Sequence, residues 1–242
     1  MRKITKTLAV VLSLSMTLTM GTPVFAEGTA DSSTTVTTVV EAPVVTPTPA
    51  QENKPPKTGF YKKAGKTYYY KNGKLVKNKY VYKIKNKSYH INKKGVVTTA
   101  STAEKLAAIR LKKCGGNLKK AFTWSSTKIK YFGGVKKPGK SKNAVEYYAA
   151  YGFKYGKGDC YVMAATFAMM AKVKGLNVKF VMGSVPQRNG KDGEHAWCEI
   201  KSGKTTYVYD PNFAYTYRNN PNVNSGYKFK YGAKGTYKYN EK

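Results

Sequence analysis

Gly158-Asp159-Cys160-Tyr161-Val162-Met163-Ala164-Ala165-Thr166-Phe167-Ala168-Met169-Met170-Ala171-Lys172-Val173-Lys174-Gly175 is the stretch that decides how this chain folds. From Cys160 onward it is a run of good helix formers, apolar on nearly every side, and Gly175 is placed to end it. A helix without a polar face belongs in the middle of a domain. Asp159 is suited to the N-cap, so Cys160 falls in the first turn. A thiol there faces unpaired N–H groups and the positive end of the helix dipole, which favours the thiolate. The same N–H groups could receive an oxyanion. A buried cysteine can also be a small hydrophobe, and the helix alone leaves both readings open.

Downstream of this stretch, His195 to Ile200 alternates, with His195, Trp197 and Glu199 on one face and Ala196, Cys198 and Ile200 on the other. Lys201-Ser202-Gly203-Lys204 is a turn signal, and Thr205 to Tyr209 is rich in β-branched and aromatic residues. With Ser202-Gly203 as a two-residue loop, Lys201 pairs with Lys204 and His195 lies directly opposite Asp210. Cβ atoms of such a pair are about 4.5–5.5 Å apart. A cysteine nucleophile needs a base, and the base needs an acceptor that orients its ring. Cys160, His195 and Asp210 are the candidates for those three parts, and a one-residue slip in the hairpin would separate the last two.

Gly158-Asp159-Cys160 opening a helix, then Gly175-Leu176-Asn177-Val178-Lys179-Phe180-Val181-Met182-Gly183, His195-Ala196-Trp197-Cys198-Glu199 and Tyr209-Asp210-Pro211, in that order, resembles the transglutaminase-like superfamily. The likeness runs from about Ala100 to the C-terminus. It implies an α+β, papain-like core in which a buried helix carrying the cysteine packs on an antiparallel sheet. It implies Cys160 as nucleophile, His195 as general base and acid, and Asp210 as the residue orienting His195. No cofactor is expected, and no metal either, since His195 and Cys198 face opposite sides and no Cys-x-x-Cys pair supports a zinc site. Lys179 stands where the family often has Arg. The core is short, as in bacterial members that include hydrolases as well as transamidases.

The ends of the chain carry other signals. Residues 1–26 read as a secretory leader, with Arg2, Lys3 and Lys6, an apolar run from Leu8 to Met20, and Val24-Phe25-Ala26 as the cleavage site. That run is short for a membrane span, which needs about 20 apolar residues. Residues 27–57, with Pro43, Pro47, Pro49, Pro55 and Pro56, read as an extended linker. Residues 58–98 hold a degenerate repeat of about 21 residues, in which Phe60-Tyr61-Lys62 returns as Val81-Tyr82-Lys83 and Lys66-Thr67-Tyr68 as Lys87-Ser88-Tyr89. Each unit reads as an aromatic hairpin, with Asn72-Gly73 supplying a turn. The pair resembles the aromatic cell-wall-binding repeats of Gram-positive surface proteins, including the choline-binding type. That likeness implies a wall ligand, and with no Trp in the units it is Tyr that would line it.

Residues 99–242 are the expected catalytic domain. Ser101-Thr102-Ala103-Glu104 is a capping-box pattern, and the helix it starts runs to Lys113 before Gly115-Gly116. A second apolar segment contains Trp124, a third from Asn143 to Tyr151 is helical, and the Tyr-, Asn- and Lys-rich tail after Asp210 reads as edge strands. Animal transglutaminases use an indole as an oxyanion donor, but a Trp on an amphipathic face reads first as core, so Trp124 is not counted with the site residues.

The formal net charge is +32, and 44 Lys and Arg include only four Arg. Base readout in nucleic acid leans on Arg, so a nucleic-acid partner is not expected. The anionic wall, its peptidoglycan carboxylates and teichoic acids, suits an exported lysine-rich surface better. Acids are scarce, yet Asp159, Asp192, Glu194, Glu199 and Asp210 fall together in the central stretch. Of three cysteines, Cys114 and Cys198 could pair and leave Cys160 free, or all could be reduced. The combined expectation is a secreted, wall-associated cysteine enzyme that acts on peptide or protein amides through a thioester, by transamidation or hydrolysis. A stem-peptide endopeptidase and a wall-binding or adhesion protein with an idle triad are the alternatives.

Overall fold

The computed structural model describes residues 54–140, 142–187 and 189–241, and the chain divides into units Met1–Gln51 and Glu52–Lys242. The expected leader and the linker up to residue 53 lie outside the described residues.

The described chain begins with two tandem three-stranded antiparallel sheets. The first is β1 (Gly59–Lys63), β2 (Lys66–Lys71) and β3 (Lys74–Leu75); the second is β4 (Lys79–Ile84), β5 (Lys87–Ile91) and β6 (Val97–Thr99). Asn72-Gly73 does make a turn, with φ of 52° and 74°, the left-handed pair that Asn-Gly adopts most readily. Each unit gains a third short strand beyond the expected hairpin. The units meet through aromatic rings: Phe60 lies 5.1 Å from Tyr69 and 5.3 Å from Tyr89, and Tyr69 lies 6.0 Å from Tyr82. His90 on β5 then reaches Glu104 at 2.8 Å, which ties this small module to the helical part.

That Glu104 also completes the expected capping box with Ser101 at the start of α1 (Thr102–Lys113). α2 (Leu118–Thr127) is capped by Asn117, β7 (Lys130–Tyr131) follows, and α3 (Ala144–Tyr155) is capped by Asn143. β8 (Lys157–Gly158) runs parallel to β7 and delivers the chain into α4 (Cys160–Val173). A Cβ on Gly158 would lie 2.4 Å from Val162, so only glycine lets the strand turn this tightly onto the helix.

α4 is buried along almost its entire length, as its apolar run requires. Phe167 is fully buried, 5.4 Å from Phe122 and 5.3 Å from Tyr209, so the helix is clamped between α2 and the sheet. Burying one such ring contributes roughly 1.5–3 kcal/mol.

The sheet follows: β9 (Val178–Pro186), β10 (Asp192–Ser202) and β11 (Thr205–Tyr209), then helix α5 (Pro211–Thr216), β12 (Tyr227–Phe229) and β13 (Asn240–Glu241). Its spatial order is β12-β11-β10-β9-β13, antiparallel throughout. Ala196, Cys198 and Ile200 face the helices, while Trp197 joins Val181, Val208 and Phe229 in a second cluster on the outer face.

The hairpin register corrects the sequence reading. Ser202 pairs with Thr205, so the loop is Gly203-Lys204, not Ser202-Gly203. Gly203 has φ of 60°, the glycine-first loop of a type II′ turn; the earlier register would put Ser202 in that conformation. A second correction concerns the tail. Edge strands do close both sides of the sheet, but Asp210-Pro211 first starts α5, because Asp210 caps it and proline is well tolerated at its first position.

Candidate active site

Cys160 is the first residue of α4, and Asp159 Oδ1 accepts from Val162 N–H at 3.2 Å as the expected cap. Backbone bonds from Lys130 N–H to Gly156 O (2.9 Å) and Phe132 N–H to Gly158 O (3.0 Å) hold the approach to the helix. The Cys160 backbone N–H belongs to the first turn, where no carbonyl of the same helix is available to it.

His195 Nε2 lies 2.6 Å from Asp210 Oδ2, and both side chains are buried. The contact survives the register correction for a geometric reason. Cys198 pairs with Tyr209, so one step further along the ladder Asp210 lies across from Trp197, not His195. His195 is then the diagonal neighbour two residues on. The displacement is an even one, so both side chains stay on one face and within reach.

Asp210 is fully buried and meets two further donors. Phe213 N–H donates to Oδ1 at 2.9 Å, and the Tyr239 hydroxyl donates to Oδ2 at 2.9 Å. Burial pulls the His195 imidazole down, but the Asp210 charge and hydrogen bond, with a hydrogen bond and charge from Cys160, outweigh it and push His195 up to about 10. Burial and the neighbouring Asp210 also push the Tyr239 phenol far up, so it stays a donor.

Cys160 and His195 open into one cleft of about 480 Å³, which Tyr131, Gln187, Asn212 and Tyr237 also line. All three sequence candidates therefore converge: the thiol and imidazole on one cleft, with the carboxylate behind the imidazole. The clustered acids have local duties too. Asp192 accepts from Asn240 at 2.9 Å, Glu194 from Lys137 at 2.8 Å, and Glu199 from the Tyr231 hydroxyl. Lys179 holds Glu241 at 2.6 Å and Glu199 at 3.7 Å, so lysine there fastens β13 to the sheet.

Trp124 does not line the cleft. It stacks on Phe153 at 5.7 Å beneath Arg110 at 4.3 Å, a packing role. All three cysteines are free, which removes the Cys114–Cys198 bridge. Cys198 Sγ instead donates to Ala164 O at 3.1 Å inside the core, and burial pushes its thiol well up. Among the described residues no group of three His, Cys, Asp or Glu converges to hold a metal, and no helix is long and apolar enough to cross a membrane.

Sequence reasoning missed Tyr237, Tyr239 and Asn212. Tyr237 packs edge-on to His195 at 5.6 Å. The Tyr-Lys-Tyr alternation at 237–239 is a strand-like signal, but only the pairing of β13 with β9 shows where those rings go. Asn212 follows the Asp210-Pro211 pair and carried no signal of its own.

Residues 100–211 match the model of the transglutaminase-like superfamily, so this stretch, a little under half of the chain, is a transglutaminase-like superfamily domain. Among curated proteins no sequence matches the chain. Among solved structures, one from Cytophaga hutchinsonii described as a candidate cysteine protease shares 14% identity, with a TM-score of 0.36. The likeness covers 46% of this chain and 37% of that one. The superfamily and the α+β arrangement are those of cysteine-dependent acyltransferases and proteases.

Proposed function

We propose that this chain is an exported, wall-associated cysteine acyl-transfer enzyme acting on peptide or protein amides, with Cys160, His195 and Asp210 as its catalytic triad. The observation that carries the reading is the convergence of the thiol at the α4 N-terminus with a buried imidazole held by a carboxylate at 2.6 Å. The raised His195 favours imidazolium, which is the partner a thiolate needs.

In this mechanism the Cys160 thiolate attacks the amide carbonyl carbon and forms a C–S bond. Negative charge moves to the carbonyl oxygen, which is received by the Cys160 backbone N–H. Collapse breaks the C–N bond, and His195 gives its proton to the departing amine. The thioester is then opened by an amine or by water, whose proton passes to His195 as the C–S bond breaks and the Cys160 thiolate is released, restoring the thiolate–imidazolium pair. Asp210 keeps the imidazole oriented and stabilises its charged form throughout. Whether an amine or water completes the cycle decides between transamidase and hydrolase. The chain has only Gln51 and Gln187 beside its many lysines, so a Gln-directed crosslinker would find few donors on itself.

The wall address rests on the leader-like residues 1–26, the lysine excess and the β-strand module. Between the two units of that module lies a hollow of about 800 Å³ walled by Phe60, Tyr69, Tyr82 and Tyr89 with Lys71 and Lys85 at its rim. Aromatic faces beside lysines suit an anionic glycan. This hollow favours the second reading, a wall-binding protein whose triad is idle.

The test is mass spectrometry of wall-derived and Gln-containing peptides incubated with a Lys donor, comparing the chain with Cys160→Ala. A ligated product requiring Cys160 makes it a transamidase, and a cleaved or deamidated one makes it a hydrolase. Identical behaviour of the two proteins would sink the catalytic reading and leave the wall-binding one.

A further inference from the structure

The residues next to the thiol and the imidazole open a second hollow. Tyr161, directly after Cys160, and Glu194, directly before His195, both line a space of about 370 Å³, and Glu194 lines the reacting cleft as well. Glu194 is therefore the wall that the two spaces share. Tyr148, stacked on Tyr161 at 5.4 Å, gives the second space an aromatic floor, and Met182, 47% exposed, forms one side.

Its remaining wall comes from the segment between β7 and α3, through Lys137, Lys140 and Lys142. Lys137 Nζ bonds both oxygens of Glu194, at 3.1 and 2.8 Å. Tyr161 donates to Glu194 Oε2 at 3.4 Å. The one acid in the hollow is thus matched by a lysine. Lys142 lies over the Tyr147 ring at 5.5 Å, and neither it nor Lys140 is in a salt bridge among the described residues. Two cationic side chains above an aromatic floor are left to face whatever enters.

We propose that this hollow is a subsite for a carboxylate-bearing residue of the acyl-donor peptide, close in sequence to the amide that Cys160 attacks. The inference rests on the catalytic reading above and adds the chemical class of the substrate. A carboxylate entering here meets Lys140 and Lys142, while its methylenes cover Tyr148 and Met182. An ammonium group meets the same lysines as like charges. The amine acceptor therefore comes from the other end of the cleft, past Tyr131 and Thr216. The lysines are solvent-exposed, so the preference weakens as salt shortens the screening length from about 8 Å at physiological ionic strength toward about 3 Å at 1 M.

The experiment uses chloroacetyl-capped tripeptide amides that differ in one residue, Asp, Asn or Lys, and measures second-order alkylation of Cys160 by peptide mass. Each rate is divided by the same protein's iodoacetamide rate. The Asp probe is expected to react about ten-fold faster than the Asn probe and the Lys probe slowest. Lys140→Glu/Lys142→Glu reverses that order, and Lys119→Glu/Lys120→Glu, the same charge change on α2, keeps it. Equal rates for the three probes, or a preference that the α2 pair alters as much, overturns the subsite. Failure of iodoacetamide to label Cys160 at neutral pH overturns the catalytic reading instead. In that event a titration of the Met182 methyl NMR signal with unreactive acetyl-Asp amide still reads the hollow. A saturable shift lost in Lys140→Glu/Lys142→Glu supports the subsite, and no shift refutes it.

Discussion

The hydroxyl of Tyr239 and the imidazole of His195 share one acceptor, Asp210 Oδ2, at 2.9 and 2.6 Å. A residue immediately before edge strand β13 thus completes the environment of a carboxylate that follows β11, on the opposite side of the sheet centre. By donating a neutral hydrogen bond to the same oxygen, Tyr239 shares the acceptor with His195 and limits how strongly Asp210 favours imidazolium.

Tyr239→Phe keeps the ring that packs on Trp197 at 4.9 Å and removes only the donor. The carboxylate then leans harder on His195, whose titration moves upward by roughly one pH unit, the scale of a hydrogen bond to a charged group. The chain has two histidines, so ¹⁵N-imidazole NMR resolves His195 directly. Tyr237, Trp197 and Cys160 also border the imidazole, Glu194 lines the same cleft, and none of them changes in this variant. An unmoved or lowered titration would show that Tyr239 only packs.

Asp210→Asn removes the charge that raises His195 while retaining an oxygen for Phe213 N–H. Burial is then opposed only by the hydrogen bond and charge from Cys160, and His195 falls from its raised value. Amide turnover drops by roughly 10³–10⁴-fold, as when a triad carboxylate is neutralised elsewhere. Alkylation of Cys160 at neutral pH slows with it. The check is turnover and NMR titration on the same sample.

Stability carries the same signature. The folded state holds the His195 proton more tightly than the unfolded chain, whose histidine titrates near 6.5. The stabilisation is complete below about pH 6.5 and is lost as pH rises through about 10. Thermal midpoints measured from pH 6.5 to 10.5 should fall more steeply for the native chain than for Asp210→Asn. Parallel curves would contradict the assignment.

Gly183→Ala tests how the outer cluster is closed. A Cβ at Gly183 would lie 2.2 Å from Asn240 O and 2.6 Å from Trp197, backbone and a buried ring that cannot yield. The expected cost is about 1–3 kcal/mol, as for overpacking elsewhere. At Gly193 the nearest atoms to an added Cβ belong to the Gln187 side chain, at 2.7 Å, which can swing aside. Urea melts should rank Gly183→Ala well below Gly193→Ala, and equal midpoints would be the wrong result.

Much of the site is legible in the sequence because its signals are local. The apolar run after Asp159 marks a buried helix, and alternation from His195 marks a strand face. A hairpin closed at Ser202-Gly203 is two residues out of register, yet it still brings Asp210 to the His195 face. The error moved pairing by an even step, and side-chain period two kept both residues on one face. Tyr239 and α5 were not legible, since their roles depend on which strand the tail pairs with, a choice made by non-local packing. The Gly203-first turn was readable in principle, because serine resists the left-handed conformation that the other register demands.

The pairing of β13 with β9 has a consequence in time. A ribosome delivers Cys160, His195 and Asp210 well before Tyr239, Asn240 and Glu241. The nascent chain can therefore hold its helix and hairpin while the carboxylate still lacks its last donor and the outer face of Trp197 is open. The final three described residues act as a latch, so the charge balance between His195 and Asp210 is set only when synthesis of this segment is finished.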